Sequence, residues 1–420
     1  MEHADADSTT SARSGRPTTG LWLIGARGSV ATTAVLGLAA LAGGHAAPTG
    51  CVTARDDVAA LPGHAALPDF DGIVVGGHDV SHHPLPKRAE ALADARMIPA
   101  HLVTLTRDAL EAADAEVRPG HDPARPEGSG QAVAERLAAD IVAFRERHGL
   151  ERVVVVDVAS TEPLPEPAPE HDDPGLLLAA LADPDRAPLP ASSLYGYAAI
   201  LAGAPYAAFT PSASVALPAL ARLAAERGVP VAGQDGKTGQ TWLRTVLAPA
   251  FAARNLRVLS WAGANLLGGG DGATLADPDA VGSKLSSKSR GLRALTGTAT
   301  TPLHIDNVPD LGEVKVAWDH VHAEGFLGSR LTLQTTWSAY DSVLAAPLVL
   351  DLTRLLALAD AAGLAGPVPE LGFFFKDPWG SDVHDAAAQD RALVDWLRDT
   401  AAKVRATDGA RGGAAHEAAR

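Results

Sequence analysis

Lysine is scarce in this chain, and where it occurs its neighbours are often residues that hold anions. Of 35 lysines and arginines only seven are lysine, namely Lys87, Lys237, Lys284, Lys288, Lys315, Lys376 and Lys403. Arginine stays protonated, whereas a buried lysine can shed its proton and serve as an acid or base. A sequence that uses arginine wherever any cation will do marks its remaining lysines as candidates for proton transfer or for stabilising an oxyanion. Lys237 lies in Gly233-Gln234-Asp235-Gly236-Lys237-Thr238-Gly239-Gln240-Thr241, between an expected strand, Val229–Ala232, and an expected helix, Thr241–Ala253. The hydroxyls of Thr238 and Thr241 and the exposed amides around Gly239 suit a phosphate there. Lys284 and Lys288 stand four apart in Ser283–Ser289, after Gly268-Gly269-Gly270-Asp271-Gly272. On one helical face two such cations repel by a few tenths of a kcal/mol, and an anion between them reverses that sign. Lys315 ends Leu311-Gly312-Glu313-Val314-Lys315, and Lys376 follows Phe373-Phe374-Phe375. Desolvation beside those rings would lower the pKa of Lys376 towards neutrality. The plain alternatives are a solvated cap, an exposed basic stretch, or a lysine snorkelling over a core edge.

A second kind of site opens the chain. In Leu23-Ile24-Gly25-Ala26-Arg27-Gly28-Ser29-Val30-Ala31 a strand enters, glycines turn, and an alanine-rich helix follows. Such a turn brings amides and a helix N-terminus to a pyrophosphate. The spacing is G-x-x-G-x-x-A, so an ordinary tight strand–helix turn fits as well. An acidic residue about 20 positions on, which would hold a ribose, is missing. The first suitable one is Asp79, after Gly76-Gly77 at the end of a strand-like run. The first crossover therefore carries an insertion.

The elements that must position these residues read as α/β. Short apolar runs (Leu21–Ile24, Gly72–Val75, Arg152–Val156, Val229–Ala232, Leu256–Ser260) alternate with helical stretches (Val30–Ala42, Gln131–His148, Val215–Arg227, Thr241–Ala253). That alternation predicts a Rossmann-like, doubly wound parallel sheet. From about 263 a glycine-rich loop and alternating segments such as Leu331–Trp337 suit an antiparallel sheet. This reads as an inserted α+β second domain. The expected boundaries are a disordered 1–17, a nucleotide-binding domain 18–242, the second domain 243–342, for which only the family resemblance drawn below implies catalysis and tetramerisation, a return to the first domain over 343–405, and a flexible tail 406–420. Segments 118–128 and 163–190 read as surface loops. The hydrophobic content of 46% supports buried cores, and a net charge of −15 argues against nucleic acid as a partner. The single cysteine, Cys51, fits a reducing cytoplasm. Arg13 and Arg16 precede the apolar run Leu21–Ala42 as in a secretory leader, but Glu2, Asp5 and Asp7 and the interrupting Arg27 read against one. No stretch of uncharged apolar residues is long enough to suggest a transmembrane helix, so no membrane partner is expected. His82-His83 and His320/His322 offer no third ligand, and no metal cluster is expected.

Five segments in this order resemble the inositol-3-phosphate synthase (myo-inositol-1-phosphate synthase) family, over roughly Leu21 to Pro378. Gly233–Thr241 resembles the family's G-x-D-x-K-[ST]-G-Q-T. Asp271-Gly272 with Ser283–Ser289 resembles its N-D-G and S-K-x-x-S-K-S. Leu311–Lys315 resembles V-G-D-S-K, with Glu313 and Val314 replacing Asp and Ser. Ala339–Pro347 resembles C-E-D-S-L-L-A-A-P, and Gly76–Ser81 resembles G-G-W-D-I-S with His78 replacing Trp.

The resemblance implies an isomerase that cyclises glucose 6-phosphate to 1D-myo-inositol 3-phosphate, with NAD taking a hydride from C5 and returning it. It implies that Lys284, Lys315 and Lys376 surround the reacting oxygens and that Asp235 belongs to the same catalytic network. It puts Thr238, Gly239, Gln240, Thr241 and Lys288 on the substrate phosphate, and Asn265, Leu267, Asp271 and Asp341 around the substrate. Gly25, Gly28, Ser29, Gly76, Gly77, Asp79, Thr161 and Gly233 fall on the NAD side. A homotetramer is implied, and a monovalent or divalent cation beside NAD is left open. Three departures stand out: a shortened nucleotide loop, Gly269-Gly270 in place of paired Asn, and Glu313. A related cyclase acting on another sugar phosphate would keep the lysines and change such positions. A simple NAD-dependent dehydrogenase would not need them all, nor would a non-catalytic NAD-binding protein.

Overall fold

The computed structural model describes residues 19–125, 128–268, 291–297 and 300–418, with side chains to 406. Asp271, Lys284, Lys288 and the pair Gly269-Gly270 lie outside the described residues, as does the segment 1–17. The apolar run that mimics a leader folds as strand β1 (Thr19–Ile24), a tight turn and helix α1 (Ser29–Ala42). An insertion follows, as expected, before strand β2 (Ile73–Asp79). It is pinned from below by a helix much later in the chain. Asp351 accepts the amides of Val52 at 2.6 Å and Thr53 at 3.0 Å, and Arg354 Nε donates to the Pro68 carbonyl at 2.7 Å.

Helix α2 (Leu85–Asp94), strand β3 (Val117–Pro119), helix α3 (Gly130–His148) and strand β4 (Arg152–Asp157) come next. Then follow helix α4 (Ala191–Ala202), strand β5 (Tyr206–Ala208), helix α5 (Pro218–Glu226) and strand β6 (Pro230–Gly233). Helix α6 (Gln240–Ala253) leads into the second sheet, made of β7 (Arg257–Leu267), β8 (Leu303–Asn307), β9 (Val314–Glu324) and β10 (Arg330–Tyr340). Helix α7 (Asp341–Ala361), the short strand β11 (Gly366–Pro367) and helix α8 (Ala386–Ala418) close the chain. The backbone of α8 stays helical past 405, where a flexible tail is expected, although Gly409, Gly412 and Gly413 are poor helix formers.

The first sheet has seven strands in the order β11-β6-β5-β4-β1-β2-β3, all paired in parallel. The chain builds outward from β1 in one direction, then restarts at β4 and builds in the other. A crevice forms at that switch, beyond the carboxyl ends of β1 and β4, and such crevices take the ligand in doubly wound sheets. Alternate side chains of one strand feed two separate cores. Leu21 and Leu23 pack with α1 and α7, whereas Trp22 and Ile24 pack with α3 and α4. Each such residue withdrawn from water contributes about 1.5–3 kcal/mol. Helix α7 is long and apolar enough to cross a membrane, yet most of it is buried against the first sheet, where α1 and β4 flank it.

The second sheet has the order β10-β9-β7-β8. Sequence alternation suggested an antiparallel sheet. In fact β7 pairs in parallel with β8, while β7–β9 and β9–β10 are antiparallel. Parallel neighbours need a long connection, and the stretch from Leu267 to Leu303 supplies one. One face of this sheet packs on α6 through Ala248, Phe251, Trp261 and Val321.

Candidate active site

The nucleotide turn is built by close approach. Gly25 has φ +79°, and a Cβ there would lie 2.8 Å from the Ala159 backbone beyond β4. A Cβ on Gly77 would sit 2.2 Å from the Leu23 carbonyl, and one on Gly76 would press on the Trp22 ring. Gly76 and Gly77 therefore let β2 lie against β1; the cavity walls are formed by other residues. The turn uses its own amides. Gly25 and Ala26 donate to the His78 carbonyl at 3.0 and 3.2 Å, Gly28 donates to the Gly25 carbonyl at 3.0 Å, and Arg27 N donates to Asp79 Oδ2 at 2.7 Å. Helix α1 begins after Gly28 with no side-chain cap and no acidic residue in its first turn. The first-turn amides of a helix lack intrahelical acceptors, so this end is open to an anion. Asp79, at the end of β2, also accepts the Ser81 amide at 2.6 Å and keeps lone pairs for a hydroxyl. These features fit a dinucleotide: a glycine cradle, an open helix end, and a carboxylate on the neighbouring strand.

His78, where the family has Trp, is wholly buried. Trp22 Nε1 donates to His78 Nδ1 at 3.0 Å, so Nε2 carries the ring proton and faces Asp140 Oδ2 at 3.1 Å. Burial lowers the imidazole pKa, against the pull of Asp140, and the ring is neutral.

A cavity of about 380 Å³ lies past the nucleotide turn, where the two sheets meet. Its wall includes Gly28, Ser29, Thr161, Asp235, Thr238, Leu267, Lys315, Asp341 and Lys376, all expected site residues. Four of them form two ion pairs. Lys376 Nζ donates to Asp235 Oδ1 at 2.6 Å, and Lys315 Nζ donates to Asp341 Oδ2 at 2.8 Å. Thr238 Oγ1 donates to the other oxygen, Asp341 Oδ1, at 2.5 Å. Burial pushes the Asp341 carboxyl up, but the Lys315 and Lys376 ammoniums outweigh it and hold the group well below the usual carboxylate range.

Distant segments bring these pairs together. Gln234–Lys237 is laced to Phe374–Asp377 by backbone bonds, with Gln234 N on the Asp377 carbonyl at 2.7 Å and Lys237 N on the Phe374 carbonyl at 2.8 Å. Asp235 sits at φ +64°, a conformation that aspartate tolerates better than most residues. Lys315 lies on β9 opposite Leu267 of β7, and Asp341 is the first residue of α7.

Other expected site residues lie outside the wall of this cavity. Gly25 and Asp79 line an adjoining cleft of about 680 Å³, together with Gly28 and Thr161. Gly233 packs against the Trp379 ring, and Gly239 against the Trp337 indole. Gln240 and Asn265 turn their side chains into a buried network. Asn265 Nδ2 donates to Gln240 Oε1 at 2.9 Å, and Gln240 Nε2 donates to Asp319 Oδ2 at 2.8 Å. Arg244 Nε and Trp261 Nε1 both donate to Asp319 Oδ1, at 2.9 and 2.8 Å. Thr241 Oγ1 is buried with no partner among the described residues. Lys237 is buried too, its Nζ donating to Gln389 Oε1 at 2.5 Å beside the Phe373 ring. Burial lowers its pKa to about 7.

The sequence reading passed over Arg88, Glu313's reach toward it, and the loops after β4 and β5 that supply Val158–Ser160 and Phe209–Pro211 to the cavity. The loops could have been found, because ligands gather beyond the carboxyl ends of parallel strands. Nothing in the sequence marks Arg88 among so many arginines.

Comparison with known proteins agrees with this geometry. The family model described as myo-inositol-1-phosphate synthase matches residues 19–398. The chain is 31% identical over 414 residues to inositol-3-phosphate synthase 1 of Bacteroides thetaiotaomicron, covering 90% of this chain and 95% of that protein. It is 29% identical to inositol-3-phosphate synthase of Spirodela polyrhiza, covering 77% and 70%. Among solved structures, inositol-3-phosphate synthase from Caenorhabditis elegans superposes with a TM-score of 0.78 at 22% identity, over 92% of this chain and 86% of that one. A myo-inositol-1-phosphate synthase-related protein from Thermotoga maritima gives 0.70 at 23% identity, over 90% and 98%. With its motifs in family order, its Rossmann-like sheet and its match from 19 to 398, the chain belongs to the myo-inositol-1-phosphate synthase family.

Proposed function

We propose that this protein converts D-glucose 6-phosphate to 1D-myo-inositol 3-phosphate with tightly held NAD and no net oxidation. The observation that carries this reading is the pair of lysine–carboxylate contacts, Lys315–Asp341 and Lys376–Asp235, set in one cavity beside the nucleotide turn. When bound, NAD supplies a hydride acceptor at C5 of the sugar and later returns the hydride. The remaining steps are proton transfers and one carbon–carbon bond. A proton leaves C6, the C6 carbon attacks the C1 aldehyde, and the C1 oxygen gains a proton. Both steps place negative charge on oxygen. Fixed ammonium groups with excluded water stabilise that charge far better than solvent does. In this reading Lys376 and Lys315 face those oxygens, and Asp235 and Asp341 orient them. The uncapped start of α6, with Thr238, takes the substrate phosphate.

Two finer points belong to the same reading. We assign the assembly to a homotetramer through the second sheet. Strand β10 is an eleven-residue edge strand, and Trp318, Phe326 and Leu327 are exposed on β9 and at the β9–β10 hairpin tip. We place the enzyme in the cytoplasm, since its one cysteine, Cys51, is free and buried. A cation at the substrate phosphate is a separate proposal, tested by titrating potassium or magnesium in the same assay.

The test is phosphorus NMR of purified protein with glucose 6-phosphate and catalytic NAD. An inositol monophosphate signal without net NADH is expected. Stoichiometric NADH with no cyclic product would replace the reading with a simple dehydrogenase. No turnover of glucose 6-phosphate, with NAD bound, would shift it to a cyclase for another sugar phosphate.

A further inference from the structure

The cavity between the ion pairs and the cleft at the nucleotide turn share six lining residues, Gly28, Arg88, Val158, Ala159, Ser160 and Thr161. Arg88, on α2, is the charged residue among them. Its Nη2 donates to the hydroxyl of Ser29, the first residue of α1, at 2.5 Å. The same nitrogen lies 3.9 Å from Glu313 Oε1, just before the catalytic strand β9. The other arginine in the cleft, Arg27, is held by Asp114 and Ser81, with Nε and Nη2 on Asp114 at 2.8 and 3.1 Å and Nη1 on the Ser81 carbonyl at 2.7 Å.

A dinucleotide brings two negative charges to this spot. The amides of Gly25, Ala26 and Arg27 already donate to His78 and Asp79 of β2, and that of Gly28 to the Gly25 carbonyl. What the backbone offers is the open end of α1, which is worth a fraction of a charge. A guanidinium beside Ser29 supplies the remainder and matches phosphate geometry with two parallel donors.

We propose that Arg88 is the ligand of the cofactor's pyrophosphate and that it exchanges Glu313 for the phosphate when the cofactor binds. This deepens the reading above, since it concerns the dinucleotide site of the same enzyme. The exchange frees Glu313, two residues before Lys315, and so links cofactor occupancy to the strand that carries a catalytic lysine. The shortened nucleotide loop and the longer Glu313 side chain, both departures from the family pattern, thereby act together.

The experiment is calorimetric titration with ADP-ribose, which carries the pyrophosphate but cannot undergo the reaction. Arg88→Gln should weaken binding about ten- to a hundred-fold, the range of one lost charge-assisted hydrogen bond. Arg88→Lys should recover part of the loss, which a misfolded protein would not. Lys87→Gln removes an equal charge one residue away, on a side chain paired with Glu90, and should change nothing. Glu313→Gln should tighten binding, because the phosphate then meets no competitor. Wild-type affinity in Arg88→Gln, or an equal loss in Lys87→Gln, would overturn Arg88 as the ligand. Unchanged or weaker binding in Glu313→Gln would overturn the exchange. A wild-type protein that binds ADP-ribose but makes no inositol phosphate from glucose 6-phosphate would defeat the glucose 6-phosphate reading and leave the Arg88 result standing.

Discussion

Lys376 is bound to Asp235 twice, through Nζ on Oδ1 at 2.6 Å and through its backbone amide on the Asp235 carbonyl at 2.8 Å. The side-chain pair cannot drift, because the backbones that carry it are themselves joined. Both residues are buried. Removing one member of a buried pair strands the other charge, at about 3–5 kcal/mol. Lys376→Met should therefore lower both kcat, by at least about a hundred-fold, and the denaturant midpoint. Adding Asp235→Asn should recover stability but not activity. A Lys376→Met protein with wild-type kcat would remove Lys376 from the chemistry.

Asp341 ties Lys315 to Thr238, and so ties strand β9 of the second sheet to the turn before α6. Its carboxyl is held below its unfolded value of 3.8 by Lys315 and Lys376, against burial. A depressed acid stabilises the fold above the unfolded value, and that stability is lost as pH falls through the folded one. Asp341→Asn should thus be less stable than wild type at pH 7, and the gap should start to narrow at about pH 4 and keep narrowing as the pH falls further. Melting curves across that range would show it. A gap that stays constant with pH would mean the lysines do not act on this carboxyl.

Much of this architecture was legible from the sequence, and the reason is physical. Strands such as Arg152–Val156 are continuous apolar runs because a parallel sheet is covered on both faces, and such runs are hard to mistake. The site motifs stood out because five of them follow one another in the order of a known family; taken singly, each also fits a solvated cap or an exposed basic stretch. Strand β5 and strand β3 were missed because each has three residues, too short for any period to register. The parallel pairing of β7 with β8 depends on a long connection rather than on alternation. Gln240 and Asn265 were expected at the substrate; in the fold Asn265 Nδ2 donates to Gln240, whose own amide donates to Asp319. Only the fold reveals that an acidic residue on β9 lies within reach of both α6 and β7.

Lys237 is the buried lysine that faces away from the reacting cavity. Its amine reaches Gln389 of α8. With its pKa lowered from 10.5 to about 7, the folded protein binds fewer protons than the unfolded chain between those values. Stability from this group therefore rises as pH increases from about 7 to about 10.5. Lys237→Met should remove that slope and be most stabilising, relative to wild type, below pH 7. Parallel pH slopes for the two proteins across pH 7–10 would show that the amine is not buried as the structure has it.

Asp319 accepts from Arg244 and Trp261 on one oxygen and from Gln240 on the other. It therefore decides which way the Gln240 amide points, with its oxygen toward Asn265 Nδ2. Gln240 opens α6 directly after the turn proposed to hold the phosphate, so its orientation sets the entry of that helix. Asp319→Ala leaves the Arg244 guanidinium buried without a carboxylate, a loss of about 3–5 kcal/mol. Asp319→Asn keeps the shape, but its amide meets the donor of Gln240 or of Arg244 with a donor of its own. In that variant KM for the sugar phosphate should rise several-fold more than kcat falls, because the lysines at the reacting carbons keep their own partners. Equal changes in kcat and KM would assign the network to overall stability, and a fall in kcat alone would place Asp319 nearer the chemistry than the structure does.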